Sequence, residues 1–286
     1  MIISIITILP LLLSGITIAR PATIPAARRF RSGGPSSTYK NFTASDASAS
    51  TKGTYTFTNW AGAFLDTTDV TGITGTFTVP TPSAPAGSDP DTSYCGCAWV
   101  GLDGISNFCP KGGLMQAGVN WCVENGVSSF VAWYEWWPAE AQQYWDDIDV
   151  SAGDSITVTI AATSKTGGTA NLVNNSSGQR ATFTWTDESP ALCEVSAEWI
   201  VEDYSVGNEL VAFADYGSVT FTGNSALVGG ATADDLTSAY LADMVSQSDS
   251  SDVISASSLK VISRRGRFDA TWIGDRWIEN WADRAM

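Results

Sequence analysis

The sequence reads SITVTIAAT at Ser155–Thr163, TANLVN at Thr169–Asn174 and RATFTWT at Arg180–Thr186. In these runs Thr, Val, Phe and Trp alternate with neighbouring residues, as they do in a strand with one buried face. Clusters of Gly, Asn, Ser and Asp separate the runs and favour turns. The same pattern recurs in GTFTVP (Gly75–Pro80), AEWIVEDY (Ala197–Tyr204) and SVTFTG (Ser218–Gly223). The sequence therefore predicts an all-β fold, an antiparallel β-sandwich or a barrel.

The composition excludes several kinds of active site. The 286 residues include 12 Trp and five Cys but no histidine. Without histidine there can be no Ser-His-Asp or Cys-His catalysis and no His-ligated metal site. We expect neither a metal nor a cofactor.

The net charge of −15 is unevenly distributed along the chain. Residues 53–259 carry 25 acidic and three basic residues, whereas residues 1–52 carry one acidic and six basic residues. An acidic body repels phosphate groups, so nucleic acids and anionic membrane surfaces are excluded as partners.

The N-terminal region carries targeting signals. Residues 1–19 are apolar and uncharged and are followed by Arg20, which predicts a secretory signal peptide, with a membrane anchor as the alternative. Residues 20–52 are rich in Pro, Ser, Ala and Arg and predict a basic pro-segment or an inert tail. We therefore expect a secreted, extracellular protein that is free of the membrane once the signal is cleaved.

An oxidising compartment favours disulfides over zinc ligation for the five cysteines, Cys95, Cys97, Cys109, Cys122 and Cys193. Because five is odd, one sulfur is left free or pairs between chains. The sequons at Asn41, Asn174 and Asn175 fit the same compartment, and we predict N-glycosylation at Asn174 and Asn175.

Common catalytic signatures are missing from the sequence, which has no GxSxG, GxGxxG or P-loop motif and no Asp-Thr-Gly or Asp-Ser-Gly triplet. Carboxylates, amides, hydroxyls and aromatic groups remain as the candidates for chemistry. Two carboxylates can hydrolyse glycosides, and a carboxylate with an amide can hydrolyse peptides in acid.

Eight blocks together carry a family resemblance. They are NWAGAF (Asn59–Phe64), GTFTVP, CAWVGLDG (Cys97–Gly104), LMQAGVNWC (Leu114–Cys122), AWYEWWP (Ala132–Pro138), AGDSITV (Ala152–Val158), LCEVSAEWIVEDY (Leu192–Tyr204) and LVAFADYGSVTFT (Leu210–Thr222). In this order they resemble the glutamic peptidases, or eqolisins, which are secreted acid endopeptidases. A weaker match continues through FDATWI near Phe268.

The resemblance implies an antiparallel double-sheet β-sandwich of the concanavalin type and a catalytic dyad of Gln116 and Glu202. Side chains of a strand alternate between its two faces, so Glu198 and Glu202 lie on the same face. This alternation alone does not show which of the two is catalytic. The choice of Glu202 rests on the resemblance. In such a dyad the carboxylate activates water, and the amide of Gln116 donates a hydrogen bond to the tetrahedral intermediate.

The resemblance also places substrate-binding residues around the dyad. Trp99 and Asp103 match cleft positions, and Glu135 lies at the base of a flap hairpin. Trp136 is assigned to substrate binding, with burial in the core as the alternative. The implied disulfides are Cys95–Cys122 and Cys109–Cys193, which leave Cys97 as the extra thiol.

Three features depart from the family pattern. Asn120 and Val131 stand where the family often has Asp, and the loop before Gln116 is about three residues longer. Residues 274–286 continue past the usual final strand and have no assigned role.

These observations predict a peptidase domain at 53–273. The expected function is that of a monomeric acid endopeptidase that acts on proteins or peptides and whose own pro-segment is a partner. A carbohydrate-binding or glycoside-cleaving sandwich and a non-catalytic relative of the peptidases are the alternatives.

Overall fold

A computed structural model describes residues 52–139, 141–207, 209–262 and 265–272. The predicted signal peptide, all of the predicted pro-segment except Lys52, and residues 274–286 lie outside these ranges. Within them the chain forms no helix, and hence none that could cross a membrane. The strands are β1 (Thr54–Phe57), β2 (Trp60–Asp66), β3 (Val70–Thr78), β4 (Tyr94–Asp103), β5 (Leu114–Glu124), β6 (Val127–Trp137), β7 (Gln143–Tyr144), β8 (Ser155–Ser164), β9 (Gly167–Asn174), β10 (Arg180–Trp185), β11 (Ser196–Glu202), β12 (Ser205–Val206), β13 (Glu209–Leu210), β14 (Ala212–Phe213), β15 (Ser218–Val228), β16 (Ala231–Ala233), β17 (Tyr240–Val245), β18 (Val253–Ile262) and β19 (Arg265–Trp272).

Strand pairing defines two main sheets. The first sheet has the order β1-β17-β2-β11-β4-β5-β6. The second has the order β18-β19-β15-β3-β8-β9-β10. Neighbours are antiparallel except for the parallel pair β1 and β17, and β17 also pairs with β18 and so links the sheets. The predicted sandwich is thus confirmed, and each of the six quoted runs lies in or overlaps a strand.

The hydrophobic core fills the space between the sheets. Alternate residues of β11, such as Trp199 and Val201, point into it. The indole Nε1 of Trp199 reaches the other sheet and donates to the carbonyl oxygen of Thr74 at 2.9 Å. Gly75 leaves room for this ring, because a Cβ there would lie 2.5 Å from the Trp199 Cδ1. The alternation seen in the sequence is therefore what packs one sheet on the other.

The opposite face of the first sheet carries a second, aromatic cluster, and we call this face the site face. Its centre contains Trp60, Phe64, Trp99, Trp133 and Ile200. Side chains from loops and neighbouring strands pack over it, and they include Tyr55, Ile105, Phe108, Tyr144, Tyr204 and Tyr240. The aromatic cluster at the centre of this face is consequently buried.

Two disulfides hold the segments that border the site face. Cys95 is bonded to Cys122, its register partner on β5, and Cys109 is bonded to Cys193. These are the pairs that the resemblance implies. Cys97 is a buried free thiol whose Sγ lies 3.8 Å from the carbonyl oxygen of Glu202. Burial, followed by the nearby acidic side chains, raises the pKa of this thiol, so it stays protonated and unreactive.

Candidate active site

Strand β4 lies between the two strands that carry the predicted dyad. Gln116 on β5 pairs with Gly101, and Glu202 on β11 pairs with Cys97. The two side chains share the site face but lie four residues apart along β4, which is about 13 Å at roughly 3.3 Å per residue. Both residues are 1% exposed. The dyad is therefore on one surface of the sheet and covered.

The Trp99 ring bridges this separation. Its Nε1 donates to Oε2 of Glu202 at 2.8 Å. Its far edge lies over Gly101, where a Cβ would be 2.9 Å from Trp99 Cζ3 and 3.2 Å from the Gln116 Cβ. Gly101 is therefore the position that lets the indole lie flat between the two candidate catalytic residues.

Further N–H groups that face the carboxyl of Glu202 come from the start of β2. Asn59 Nδ2 donates to Oε1 at 3.2 Å. Trp60 Nε1 faces the same carboxyl without the geometry of a regular hydrogen bond. Burial raises the pKa of Glu202 to about 8, and the N–H groups of Trp99, Trp60 and Asn59 oppose that rise. In the covered state Glu202 thus holds a proton at acid pH, while its donors are arranged to favour the carboxylate.

Glu198 differs from Glu202 in its surroundings. It lies in the same register row as Gly101 and Gln116 and is fully buried. Neither of its carboxyl oxygens has a regular hydrogen bond within the described part of the chain. Burial raises the pKa of Glu198 well above its usual value, although the Ser196 hydroxyl opposes the rise. These surroundings keep Glu198 neutral over a wide pH range.

The carboxamide of Gln116 is oriented by Glu135. Gln116 Nε2 donates to Oε2 of Glu135 at 2.8 Å, and the two residues face each other across β5 and β6. Glu135 is 2% exposed. The structure therefore places Glu135 against the amide, a position from which it fixes the direction of the N–H groups of Gln116.

Asp103 supports a loop. Its Oδ2 accepts hydrogen bonds from the backbone N–H groups of Cys193 and Glu194, and its Oδ1 accepts those of Val195 and Ser196. Burial raises the pKa of this carboxyl, and the four hydrogen bonds lower it. Through these contacts Asp103 stabilises the segment that leads into β11. Its role in substrate binding stays a prediction.

Trp136 lies on the core side. It is 1% exposed, belongs to the cluster between the sheets, and donates from Nε1 to the Pro190 carbonyl at 2.9 Å. This burial corresponds to the core alternative for Trp136. Because β6 turns alternate side chains to opposite faces, Glu135 takes the site face and Trp136 the core, and the assignment of Trp136 to substrate binding stays a prediction.

The two departures from the family pattern lie in one register row. Asn120 pairs with Cys97 on β4 and with Val131 on β6, so both positions share the row of Glu202. Asn120 Nδ2 donates to Oε1 of Gln142 at 2.6 Å, and both residues are buried. A neutral amide pair thus occupies this part of the site face.

The two predicted glycosylation sites differ in accessibility. Asn174 is 1% exposed, and its Nδ2 donates to the Asp149 carbonyl at 3.0 Å and to Oδ2 of Asp154 at 2.8 Å. A glycan on that nitrogen would have to replace these contacts, and glycosylation at Asn174 stays a prediction. Asn175 is exposed and remains a predicted acceptor.

Sequence reasoning missed Asn59 and Gln142. Asn59 stands in the matched block NWAGAF, and the pairing of β2 with β11 brings it to Glu202. A prediction of that pairing would have identified it. Gln142 lies in the connection between β6 and β7, where no sequence pattern marks it.

The fold and the site define a β-sandwich protein with a buried carboxyl and a carboxamide on the outer face of one sheet. The profile of the Peptidase A4 family matches residues 58–263. The chain belongs to the Peptidase A4 family.

Two curated relatives are similar in sequence. Aspergillopepsin-2 of Aspergillus niger is 45% identical over 189 residues, which are 61% of this chain and 66% of the relative. Scytalidopepsin B of Scytalidium lignicola is 38% identical over 172 residues, which are 57% of this chain and 61% of the relative. The alignments thus span slightly less than two thirds of these relatives.

Solved structures of the family are also similar. Scytalido-glutamic peptidase with a transition state analog inhibitor gives a TM-score of 0.64 at 30% identity and covers 76% of this chain and 98% of that one. Aspergilloglutamic peptidase from Aspergillus niger gives a TM-score of 0.54 at 42% identity and covers 63% and 99%. The glutamic peptidase resemblance is therefore confirmed.

Proposed function

We propose that the protein is an endopeptidase that hydrolyses peptide bonds of proteins in acid, with Gln116 and Glu202 as its catalytic residues. The observation that carries this proposal is the set of N–H groups around Glu202, at a carboxyl that shares a face with an oriented carboxamide. Such a set stabilises the ionised carboxylate that a general base requires.

The covered state is not the one that reacts. Burial is the leading cause of the raised pKa of Glu202, so entry of water and substrate into the site removes that cause while the Trp99 and Asn59 donors remain. The carboxylate then takes a proton from the attacking water and returns it to the leaving nitrogen.

Gln116 stabilises the tetrahedral intermediate. Its Nε2 carries two protons, so it can donate to Glu135 and to the oxygen of the tetrahedral intermediate. A single donor of this kind contributes roughly 2.7–4 kcal/mol to catalysis. An amide does not titrate between neutral pH and strong acid, which suits an enzyme that works at low pH.

Glu198 is the other carboxyl on this strand, and its surroundings do not suit a base. It lacks the N–H donors of Glu202 in the described part of the chain. The contrast supports the choice of Glu202, which the alternation of side chains alone left open.

We also propose that the protein is secreted and that its basic residues 20–52 restrain the acidic body until acid protonates the body's carboxylates. Mass spectrometry of the secreted protein should find the mature N-terminus between about Pro35 and Asn59. An active product that still carries Arg20 would contradict the proposal that residues 20–52 restrain the enzyme.

The decisive assay is incubation of the purified protein near pH 3 with denatured protein and, separately, with polysaccharides. Cleavage of the protein substrate alone supports the peptidase. Cleavage of polysaccharide would favour the glycosidase alternative, and no cleavage of either would favour a non-catalytic relative.

A further inference from the structure

The site face contains a pair of amides with unused hydrogen-bonding capacity. Asn120 and Gln142 share one hydrogen bond, from Nδ2 of Asn120 to Oε1 of Gln142. The other oxygen, Asn120 Oδ1, and the other nitrogen, Gln142 Nε2, are buried without a hydrogen-bond partner in the described part of the chain. Asn120 is fully buried and Gln142 is 2% exposed. One acceptor and one donor therefore stand side by side.

A buried polar atom without a partner is costly, by roughly 1–3 kcal/mol. Two of them on adjacent side chains call for an explanation, and a ligand that pairs with both supplies one. The complementary ligand must offer one donor to Asn120 and one acceptor to Gln142. An amide group offers both on neighbouring atoms, and it does so without a charge.

The pair is at a useful distance from Glu202. Glu202, Cys97 and Asn120 stand in one register row on three adjacent strands. Neighbouring strands are about 4.8 Å apart, so Asn120 lies about 10 Å from Glu202 across the sheet. An extended peptide advances about 3.3 Å per residue. A peptide that crosses the strands thus reaches Asn120 about three residues from the bond held at Glu202.

We propose that Asn120 and Gln142 form a subsite that binds an amide group of the substrate about three residues from the cleaved bond. This inference rests on the proposed peptidase function. The amide belongs either to an Asn or Gln side chain or to the peptide backbone.

The charge state of this subsite distinguishes it from a carboxylate. Neither amide titrates, so its selectivity is constant across the acid range. An Asp at position 120 would instead lose its donor when it ionised.

The test uses the mature enzyme and a peptide series at pH 3 and pH 5. One arm replaces each residue in turn, within four positions of the cleaved bond, with Gln, Glu or Leu. The second arm methylates the backbone nitrogen at each of these positions. We expect one position at which Gln exceeds Leu, or at which methylation reduces kcat/KM, by about tenfold.

Two variants, Gln142→Met and Asn120→Leu, identify the residues that form the subsite. Each should abolish the tenfold selectivity at both pH 3 and pH 5. Asn171→Leu, at a polar residue of β9, is the control and should change neither. If the wild type cleaves the peptides with no such position, or if Gln142→Met keeps the selectivity, the subsite is refuted. If the wild type cleaves no peptide, the proposed function itself fails.

Discussion

Nε1 of Trp99 lies 2.8 Å from Oε2 of Glu202, and the same indole ends beside Gln116. One aromatic side chain therefore donates to the carboxyl directly and lies between it and the residue that carries the carboxamide. It is a positioning residue, since it acts through Glu202.

Removal of either dyad residue should abolish activity. Glu202→Gln removes the base and Gln116→Ala removes the oxyanion donor, so we expect kcat to fall by at least about 10²-fold in each. Glu198→Gln, at the other buried carboxyl of β11, is the matched control and should retain most activity. Kinetics at pH 3 on folded variants measure the difference, and near-normal turnover in either dyad variant would contradict the assignment.

Loss of a donor to Glu202 should shift the pH profile. In Trp99→Phe and Asn59→Ala the ionised carboxylate loses a hydrogen bond, so the pKa of Glu202 rises. The acid limb of kcat/KM should move up by about one to two pH units, because a hydrogen bond to a charged group is worth roughly 1.5–3 kcal/mol. Trp121→Phe, in the core between the sheets, should leave the limb in place. If the acid limb is unshifted in both Trp99→Phe and Asn59→Ala, these two residues do not stabilise the Glu202 carboxylate.

Stability should be greatest in acid. Burial raises the pKa values of Glu202, Glu198 and Asp203 above their usual values. A group whose pKa is higher in the folded state stabilises the fold fully below its unfolded pKa of about 4, and that contribution is lost as pH rises through the folded pKa. Each group gives a slope of up to about 1.4 kcal/mol per pH unit. Denaturant unfolding at pH 3, 5 and 7 should find stability falling, and a shallower fall in Glu198→Gln. Greater stability at pH 7 than at pH 3 would overturn this account.

Thiol reagents and chelators should leave proteolysis unchanged. Cys97 is buried with a raised pKa, so we expect a colorimetric thiol reagent to label it only after denaturation. Rapid labelling of the native protein would show that this part of β4 opens.

A glycan should be attached at Asn175 and not at Asn174. Ser177→Ala destroys only the Asn175 sequon and leaves Asn174-Asn175-Ser176 intact. Mass spectrometry should therefore find no glycan on the peptide of this variant that contains Asn174 and Asn175. A glycan that persists would place the acceptor at Asn174 and require its hydrogen bonds to Asp149 and Asp154 to break.

Local sequence patterns predicted the strands and their faces but not their partners. The alternation in Ala197–Tyr204 correctly placed Trp199 and Val201 opposite Ile200. It could not reveal that Asn59 meets Glu202, because that contact depends on the pairing of β2 with β11. The sequence similarly could not reveal that the buried Nε1 of Trp136 donates to the carbonyl oxygen of Pro190, which is distant along the chain. Side-chain periodicity fixes which face a residue occupies, whereas tertiary packing decides what covers that face.

The pairing of β2 with β11 and β17 also constrains the order in which the chain is made. Asn59 and Glu202 are 143 residues apart, so the ribosome releases β2 long before either of its neighbours exists. The apolar residues and the unpaired backbone groups of β2 therefore stay exposed until β11, and then β17, have left the ribosome. Such edges favour aggregation. Slowing translation between β2 and β11 should therefore lower the yield of folded protein, whereas slowing it after β17 should not.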